Sequence, residues 1–553
     1  MNTREIVSLQ FGHYSNFIGT HWWNIQEAGF DYTGDTPSEI NHDVLFREGL
    51  TNKGEVTYTP RLLLVDLKGS LKTLPERGDL YETVTEPTIS SVPWPDNAVE
   101  IITEEKPPRN EFQEALATPQ TSNLNQVDSD CLDAKVNVWS DFLYSRFHPR
   151  TVNVIRDYQH ENTSVPFDVY PLGTSLWKEQ QFSDDFCDKI RGYIEECDSP
   201  QGFQVTVDAV NAFGGLATSC LEYIKDEYDR KSVLTFAAIP SFYSDYNYSN
   251  GDEREESTKK DSLRLLNLAL TLEALSEHSS LTIPVSTGSK GWRQPGPPRK
   301  FNHVVYNSDL PYHTSAILAS ALDTVTMPFR LKSSVFTVGD FCRDLSGYGR
   351  KISAASLCLP FGMNTGVDLI DCLDNWDGPL WQSITPNCTM GSDKLMQLVT
   401  ARGIPETRLK RPLQTAAKQR EMPAYRCNSV QEMFSFYLSC TCYASASHVT
   451  TLSKPLPIRT PYPKIFDEYV GVHGDILNVP RTKTEDISNI PVVAACHVGS
   501  GVGNMLETLH REAGRIKLAR FHQFRTAGFE LDDYNESLGR LLDLRECYEE
   551  SFE

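Results

Sequence analysis

Gly202-Phe203-Gln204-Val205-Thr206-Val207-Asp208-Ala209-Val210-Asn211-Ala212-Phe213-Gly214-Gly215-Leu216-Ala217-Thr218-Ser219-Cys220 is the stretch that decides the fold class. Phe203, Val205 and Val207 alternate as a strand requires. The turn Ala212-Phe213-Gly214-Gly215 then leads into a helix with Leu216, Cys220, Leu221 and Ile224 facing inward. Upstream, Phe182, Phe186, Ile190 and Ile194 recur every fourth residue and mark one face of another helix. Downstream, Val233 to Ile239 is a further apolar strand. Strands alternating with helices at this spacing predict an α/β fold, a doubly wound and mainly parallel sheet.

Working outward, Arg4-Glu5-Ile6-Val7-Ser8-Leu9-Gln10-Phe11 is a compact strand ending at Gly12, followed by a helix from about Asn16 to Ala28. Pro60 introduces Leu62-Leu63-Leu64-Val65, a run suited to a strand buried on both faces. Residues 1–85 form the first part of the N-terminal domain and 136–312 the rest of it. The intervening 86–135 is rich in Pro, Ser, Thr, Asn and acids and reads as a disordered insertion with little to bury. Tyr248 to Asp261 and Ser286 to Lys300 read as loops. Thr314 to Thr326 is a small-residue buried helix within a connecting segment 313–332, ended near Pro328. Residues 333–500, with Ala354 to Leu359 and Val492 to Cys496 as apolar runs, predict a second α/β domain. The segment 501–553 closes the chain with helices over Val502 to Phe521 and Leu531 to Tyr548.

The 553 residues carry 52 Lys+Arg against 74 Asp+Glu, a net charge of −22. That balance argues against nucleic acid or an anionic membrane surface as a general partner. No run approaches the roughly 20 apolar residues that span a bilayer, and the first residues do not read as a secretory or mitochondrial leader. Thirteen cysteines, without a C-x-x-C pair, read as reduced thiols in the cytoplasm.

In a doubly wound sheet, ligands lie beyond the carboxyl ends of the strands. Three turns there present themselves: Gly12-His13-Tyr14, Asp66-Leu67-Lys68-Gly69, and the turn at Gly214-Gly215 that runs on to Thr218-Ser219. Glycines at such points offer backbone N–H groups to phosphate, but two adjacent glycines also make an ordinary tight turn. Cys440-Thr441-Cys442 with His448 lacks a usual zinc spacing and reads as idle thiols, so no metal is expected. His148-Pro149-Arg150 shapes a loop or binds an anion, and the acidic ending Glu546, Glu549, Glu550 and Glu553 is a solvated helix end or a handle for a basic partner. No nucleophile–base pair follows from spacing.

Several of these residues resemble tubulins. The opening Arg4 to Gly12 with Asn16, Ile18 and Gly19 is similar to tubulin's first strand and turn. Tyr58-Thr59-Pro60-Arg61 with Val65-Asp66-Leu67, Glu196-Cys197-Asp198 with Gln201 to Gln204, and Gly528 with Asp533-Tyr534, Leu541 and Tyr548-Glu549-Glu550 follow suit. Within that superfamily, His21-Trp22-Trp23-Asn24, Val138-Trp139-Ser140-Asp141-Phe142-Leu143, His148-Pro149-Arg150, Ser315-Ala316-Ile317-Leu318-Ala319 and Leu322-Asp323-Thr324 identify the chain as resembling the Misato proteins. The resemblance implies a tubulin-like protein of the cytoplasm, peripherally associated with the mitochondrial outer membrane and acting in mitochondrial distribution, morphology and fusion. It also implies protein partners, tubulin and the cytosolic chaperonin among them. Alternative roles are a chaperonin-linked tubulin assembly or spindle factor, or a polymerising GTPase.

The same resemblance implies GTP as the cofactor and a vestigial site built from Gly12, His13, Tyr14, Lys68, Gly214, Gly215, Thr218, Ser219 and Asn267, the last within Arg264-Leu265-Leu266-Asn267, which resembles tubulin's base-supporting segment. Departures weaken it. His13 and Tyr14 replace a smaller Gln-Cys pair, Lys68 replaces an acid near the metal, and G-G-G-T-G-S-G survives only as Gly214 to Cys220 with three glycines lost. Asp340 and Asp344 are poor candidates for the acidic loop that completes a neighbour's site. The expectation is a degenerate GTPase-type site without catalysis, at which GTP binding is weakened rather than excluded, since Lys68 and His13 can still attract an anion.

Overall fold

The computed structural model describes residues 4–30, 38–51, 54–76, 80, 107–117, 132–243, 251–293, 296–389, 394–410, 422–441, 444–482 and 485–549. Its first sheet has six strands, β1 (Ile6–Phe11), β2 (Leu62–Lys68), β3 (Val152–Gln159), β4 (Gly202–Asp208), β5 (Ser232–Ala238) and β6 (Leu281–Val285). They pair in the order β3-β2-β1-β4-β5-β6, every pair parallel. Strand order reverses between β1 and β4, which makes their carboxyl ends the switch point where such sheets hold ligands. Both strands are buried along their whole length, as expected of a sheet covered on two faces.

The helices that matter here are α1 (His13–Ala28), α2 (Tyr170–Trp177), α3 (Gln180–Glu195), α4 (Ala212–Glu227), α5 (Gly251–His278), α6 (Pro311–Val325), α7 (Ser500–Ala513) and α8 (Leu531–Glu546). α1 lies against α6, while α4 packs on α2 and α5, and α5 also carries α7 and α8. On α3 the expected stripe faces inward: Phe186 and Ile190 are buried, Phe182 and Ile194 half-buried, and the Phe186 ring lies 5.8 Å from that of Phe11.

Several boundaries move. α1 begins at His13, not Asn16, because Gly12 makes the whole strand-to-helix turn. The turn at Ala212 to Gly215 is itself the first turn of α4, capped by Asn211. Of the charged stretch read as a loop, residues 251–261 are helical; 244–250 lie outside the described residues. Within 86–135, the short helix Glu111–Ala117 buries Phe112 completely, and Leu132 is equally enclosed. Those two side chains correct the reading of that segment as having little to bury; residues 86–106 and 118–131 lie outside the description. The helix expected to reach Phe521 stops at Ala513, and Leu518–Arg520 forms a separate 3₁₀ turn.

The second sheet comprises β7 (Ala354–Cys358), β8 (Gln382–Ser383), β9 (Lys394–Arg402), β10 (Ala444–Leu452) and β11 (Val492–Gly499), ordered β8-β7-β11-β9-β10. Only β9 and β10 are parallel, so this sheet is mixed. α6 joins the halves and is buried from Tyr312 to Val325. At its end Asp323 meets Arg330 at 2.9 Å, and also Arg402 of β9 and Gln26 of α1.

Candidate functional site

At the switch point β1 ends on Phe11, and Gly12 turns the chain with φ +108° into α1. The first amides of a helix have no intrahelical partner and carry the positive end of its dipole, so they draw an anion. Here a carboxylate of the same chain supplies it. Asp208 Oδ2 accepts the Tyr14 N–H at 3.1 Å, and Oδ1 accepts the Ser15 N–H at 2.7 Å and the Ser15 hydroxyl at 2.8 Å. Asp208 is 2% exposed. Burial pushes its carboxyl up to about 6, against the opposing pull of the hydrogen bonds from Ser15 and Tyr14. A Cβ on Gly12 would stand 2.4 Å from Asp208 Oδ2, so only glycine fits.

Beside it lies a second carboxylate, Asp66 of β2. Its Oδ2 receives Trp139 Nε1–H at 2.7 Å and Asn16 Nδ2–H at 3.2 Å, and lies 3.0 Å from His13 Nδ1. Oδ1 accepts the Leu67 N–H at 2.8 Å. Burial alone would lower the His13 imidazole, but the Asp66 carboxylate more than reverses this, and its net move is upward. For Asp66 burial pushes up, and the charge and hydrogen bond of His13 carry the carboxyl below its usual range. The His13 ring lies 3.9 Å from that of His160, which burial and His13 together lower to about 4. The Tyr14 side chain turns away, its hydroxyl donating to Thr314 Oγ1 of α6 at 2.9 Å. Lys68 ends β2 with its side chain exposed.

The glycine pair serves packing. A Cβ on Gly214 would lie 2.1 Å from Thr271 Oγ1 of α5, and one on Gly215 would lie 2.0 Å from the Tyr170 carbonyl of α2. Reciprocally, a Cβ on Gly173 of α2 would lie 1.9 Å from the Ala212 carbonyl. The start of α4 is closed too: Asn211 Oδ1 accepts the Phe213 N–H at 3.0 Å, and the Phe167 carbonyl accepts the Ala212 N–H at 3.5 Å. Thr218 donates its hydroxyl to the Gly215 carbonyl at 3.0 Å and sits 2.9 Å from the Tyr170 hydroxyl; Ser219 is half-buried on the same helix. Asn267 is buried and fully engaged: Nδ2 donates to the Asp168 carbonyl at 2.6 Å and the Val210 carbonyl at 3.0 Å, and Oδ1 accepts the Tyr170 N–H at 2.9 Å. It staples two loops to α5.

The structure therefore brings Gly12 and His13 together with Asp66 and Asp208. It groups Gly215, Thr218 and Asn267 around Tyr170, sets Gly214 against Thr271 and leaves the Lys68 side chain in solvent. Sequence reasoning missed Asp208, Trp139 and Tyr170. The one available signal was an acid at the carboxyl end of an otherwise uncharged strand. Elsewhere, Arg150 lies 4.5 Å over the Tyr193 ring and pairs with Glu196. Cys440 is an exposed thiol, Cys442 lies outside the described residues, and the His448 ring stacks on Phe336 at 4.9 Å. Among the described residues no group of three His, Cys, Asp or Glu is placed to hold a metal. Asp340 caps the helix Val338–Leu345 with Thr337.

Residues 4–118 match the model of the Misato Segment II tubulin-like domain, and residues 130–331 match that of the tubulin domain. Protein misato of Drosophila melanogaster is 36% identical over 99% of both chains. Protein misato homolog 1 is 34% identical in Danio rerio and 32% in Homo sapiens, covering 99% of this chain and 97% and 98% of theirs. The chain belongs to the Misato family. The residues that mark this Misato chain converge around α1. His21 Nε2 lies 2.9 Å from the Tyr312 carbonyl, Asn24 donates to the Phe142 carbonyl at 2.8 Å, and Trp139 anchors Asp66.

A tubulin-like domain suggests a guanine nucleotide, and the donors at the switch point are engaged within the chain. The Tyr14 and Ser15 amides already hold Asp208. α2 lies on Gly215 and α5 on Gly214, and Asn267 is engaged by backbone.

Proposed function

We propose that this Misato-family chain is a non-catalytic, tubulin-like interaction protein that supports mitochondrial distribution, morphology and fusion. The mitochondrial part rests on the family resemblance. The non-catalytic part rests on one observation, the Asp208 carboxylate seated on the first amides of α1. Phosphoryl transfer is almost entirely positioning and electrostatics, and a phosphate cannot share those donors with a buried carboxylate. Denaturing the purified protein and analysing the supernatant tests this: no guanine nucleotide and no metal-dependent GTP turnover are expected. A stoichiometric nucleotide in the extract overturns it.

The proposed partners are proteins, with tubulin and the cytosolic chaperonin the first to seek by affinity capture. Association with the mitochondrial outer surface is proposed to be peripheral and partner-mediated. No helix among the described residues is long and apolar enough to cross a membrane, and anionic lipid repels a net charge of −22. Alkaline carbonate should release the protein from mitochondrial membranes; retention in the pellet would mean that it is anchored directly.

A further inference from the structure

Gly12 and Asp208 form a matched pair. The missing Cβ of Gly12 and its φ of +108° bring the strand-to-helix turn within 2.4–2.7 Å, measured from an ideal Cβ, of three Asp208 side-chain atoms. Both carboxylate oxygens then fall on the α1 N-terminus: one amide on Oδ2, one amide and one hydroxyl on Oδ1. Ordinary caps come from the N-cap residue or from the first helical turn. The N-cap of α1 is Gly12, which offers no side chain. The capping group instead arrives from 193 and 194 positions away in sequence, at the carboxyl end of the neighbouring strand. That is where a doubly wound sheet holds the anionic part of its ligand, and two consecutive amides plus a hydroxyl form an oxyanion-binding set.

We infer that Asp208 is a built-in substitute for a bound oxyanion, which completes the N-terminal domain without a ligand and conceals a latent phosphate site. The inference rests on the non-catalytic reading above and deepens it. Removing the carboxylate while leaving Gly12, Tyr14 and Ser15 in place vacates a space lined by the same three donors. Inorganic phosphate should then occupy it.

The test is thermal unfolding of full-length protein in chloride buffer with inorganic phosphate titrated in at constant ionic strength. Wild type should show only the weak stabilisation that phosphate gives any protein by exclusion from its surface. Asp208→Ser should melt lower than wild type without phosphate and then rise with the logarithm of phosphate concentration, as a ligand that binds the folded state requires. Asp208→Asn, which keeps the volume and blocks the space, should be destabilised but gain no more from phosphate than wild type does. If Asp208→Ser does not fold in chloride, recovery of folded protein on refolding in phosphate is the readout. Failure there, with Asp208→Asn folding normally, counts against the inference. So does a wild type that responds to phosphate as strongly as Asp208→Ser, or an Asp208→Ser protein that phosphate does not rescue. A nucleotide-free wild type with a phosphate-blind Asp208→Ser sinks this inference alone; nucleotide in the wild-type extract sinks the functional reading beneath it.

Discussion

His13 stands where tubulins carry a smaller side chain, and its imidazole is drawn onto Asp66 rather than toward a ligand. The pair has a consequence for pH. Asp66 raises His13 above its ordinary value in the folded protein. The imidazolium therefore stabilises the fold fully below the unfolded value of about 6.5, and that contribution is lost as pH rises through the higher folded value. His13→Asn should thus be most destabilising relative to wild type in mild acid, with the gap narrowing as pH rises above about 6.5. Denaturant unfolding at a series of pH values measures it, and a gap that widens with pH would reverse the assignment. Lys68, by contrast, is exposed at the end of β2. Lys68→Glu restores an acid without vacating the Asp208 position, so metal-dependent GTP turnover should stay at background.

Among the elements, α2 and α4 meet at the shortest approaches around the site, with Gly173 and Gly215 each admitting the other helix's backbone. Gly215→Ala would place a methyl 2.0 Å from the Tyr170 carbonyl, and overpacking of this kind costs about 1–3 kcal/mol or more. A variant as stable as wild type would show that α2 lifts off freely. On α3, Phe186 is 1% exposed and packs on Phe11 and Phe182. Phe186→Ala should cost about 3–5 kcal/mol in equilibrium unfolding; a melting point near that of wild type would place the face in solvent. These elements were legible because period and alternation are local. The strand at Phe203 to Val207, the stripe on α3 and the buried helix α6 all followed from residues a few positions apart. The glycine pair stayed ambiguous in the sequence, since a missing Cβ serves a phosphate or a neighbouring helix equally well and only the positions of Tyr170 and Thr271 show what lies against it. Asp208 was out of reach for a related reason: its partners lie 193 and 194 residues earlier, and nothing in the pattern of β4 names them.

Across the whole molecule, the two sheets share one apolar core, in which residues of β1, β4, β7, β9 and β11 belong to the same contiguous cluster. A polar knot sits at their junction. Asp323 on α6 engages Arg330 and reaches across to Arg402 of β9, while Gln26 of α1 bonds to both Asp323 and Arg330. Asp323, Arg330 and Arg402 are each 1% exposed. Burial alone would raise the Asp323 carboxyl, yet the two guanidinium groups hold it below its ordinary range. A buried pair of this kind adds little net stability over an apolar replacement, but deleting one member leaves unpaired charge in the interior at about 3–5 kcal/mol. Asp323→Ala would strand two guanidinium groups at once. Because the knot ties α1 and β9 to the same helix, the loss should lower the unfolding of both sheets together rather than detach one. Calorimetry of wild type and Asp323→Ala resolves this. A single transition moved to lower temperature is expected, whereas splitting into one unmoved and one lowered transition would mean that the sheets fold independently and the knot serves only one of them.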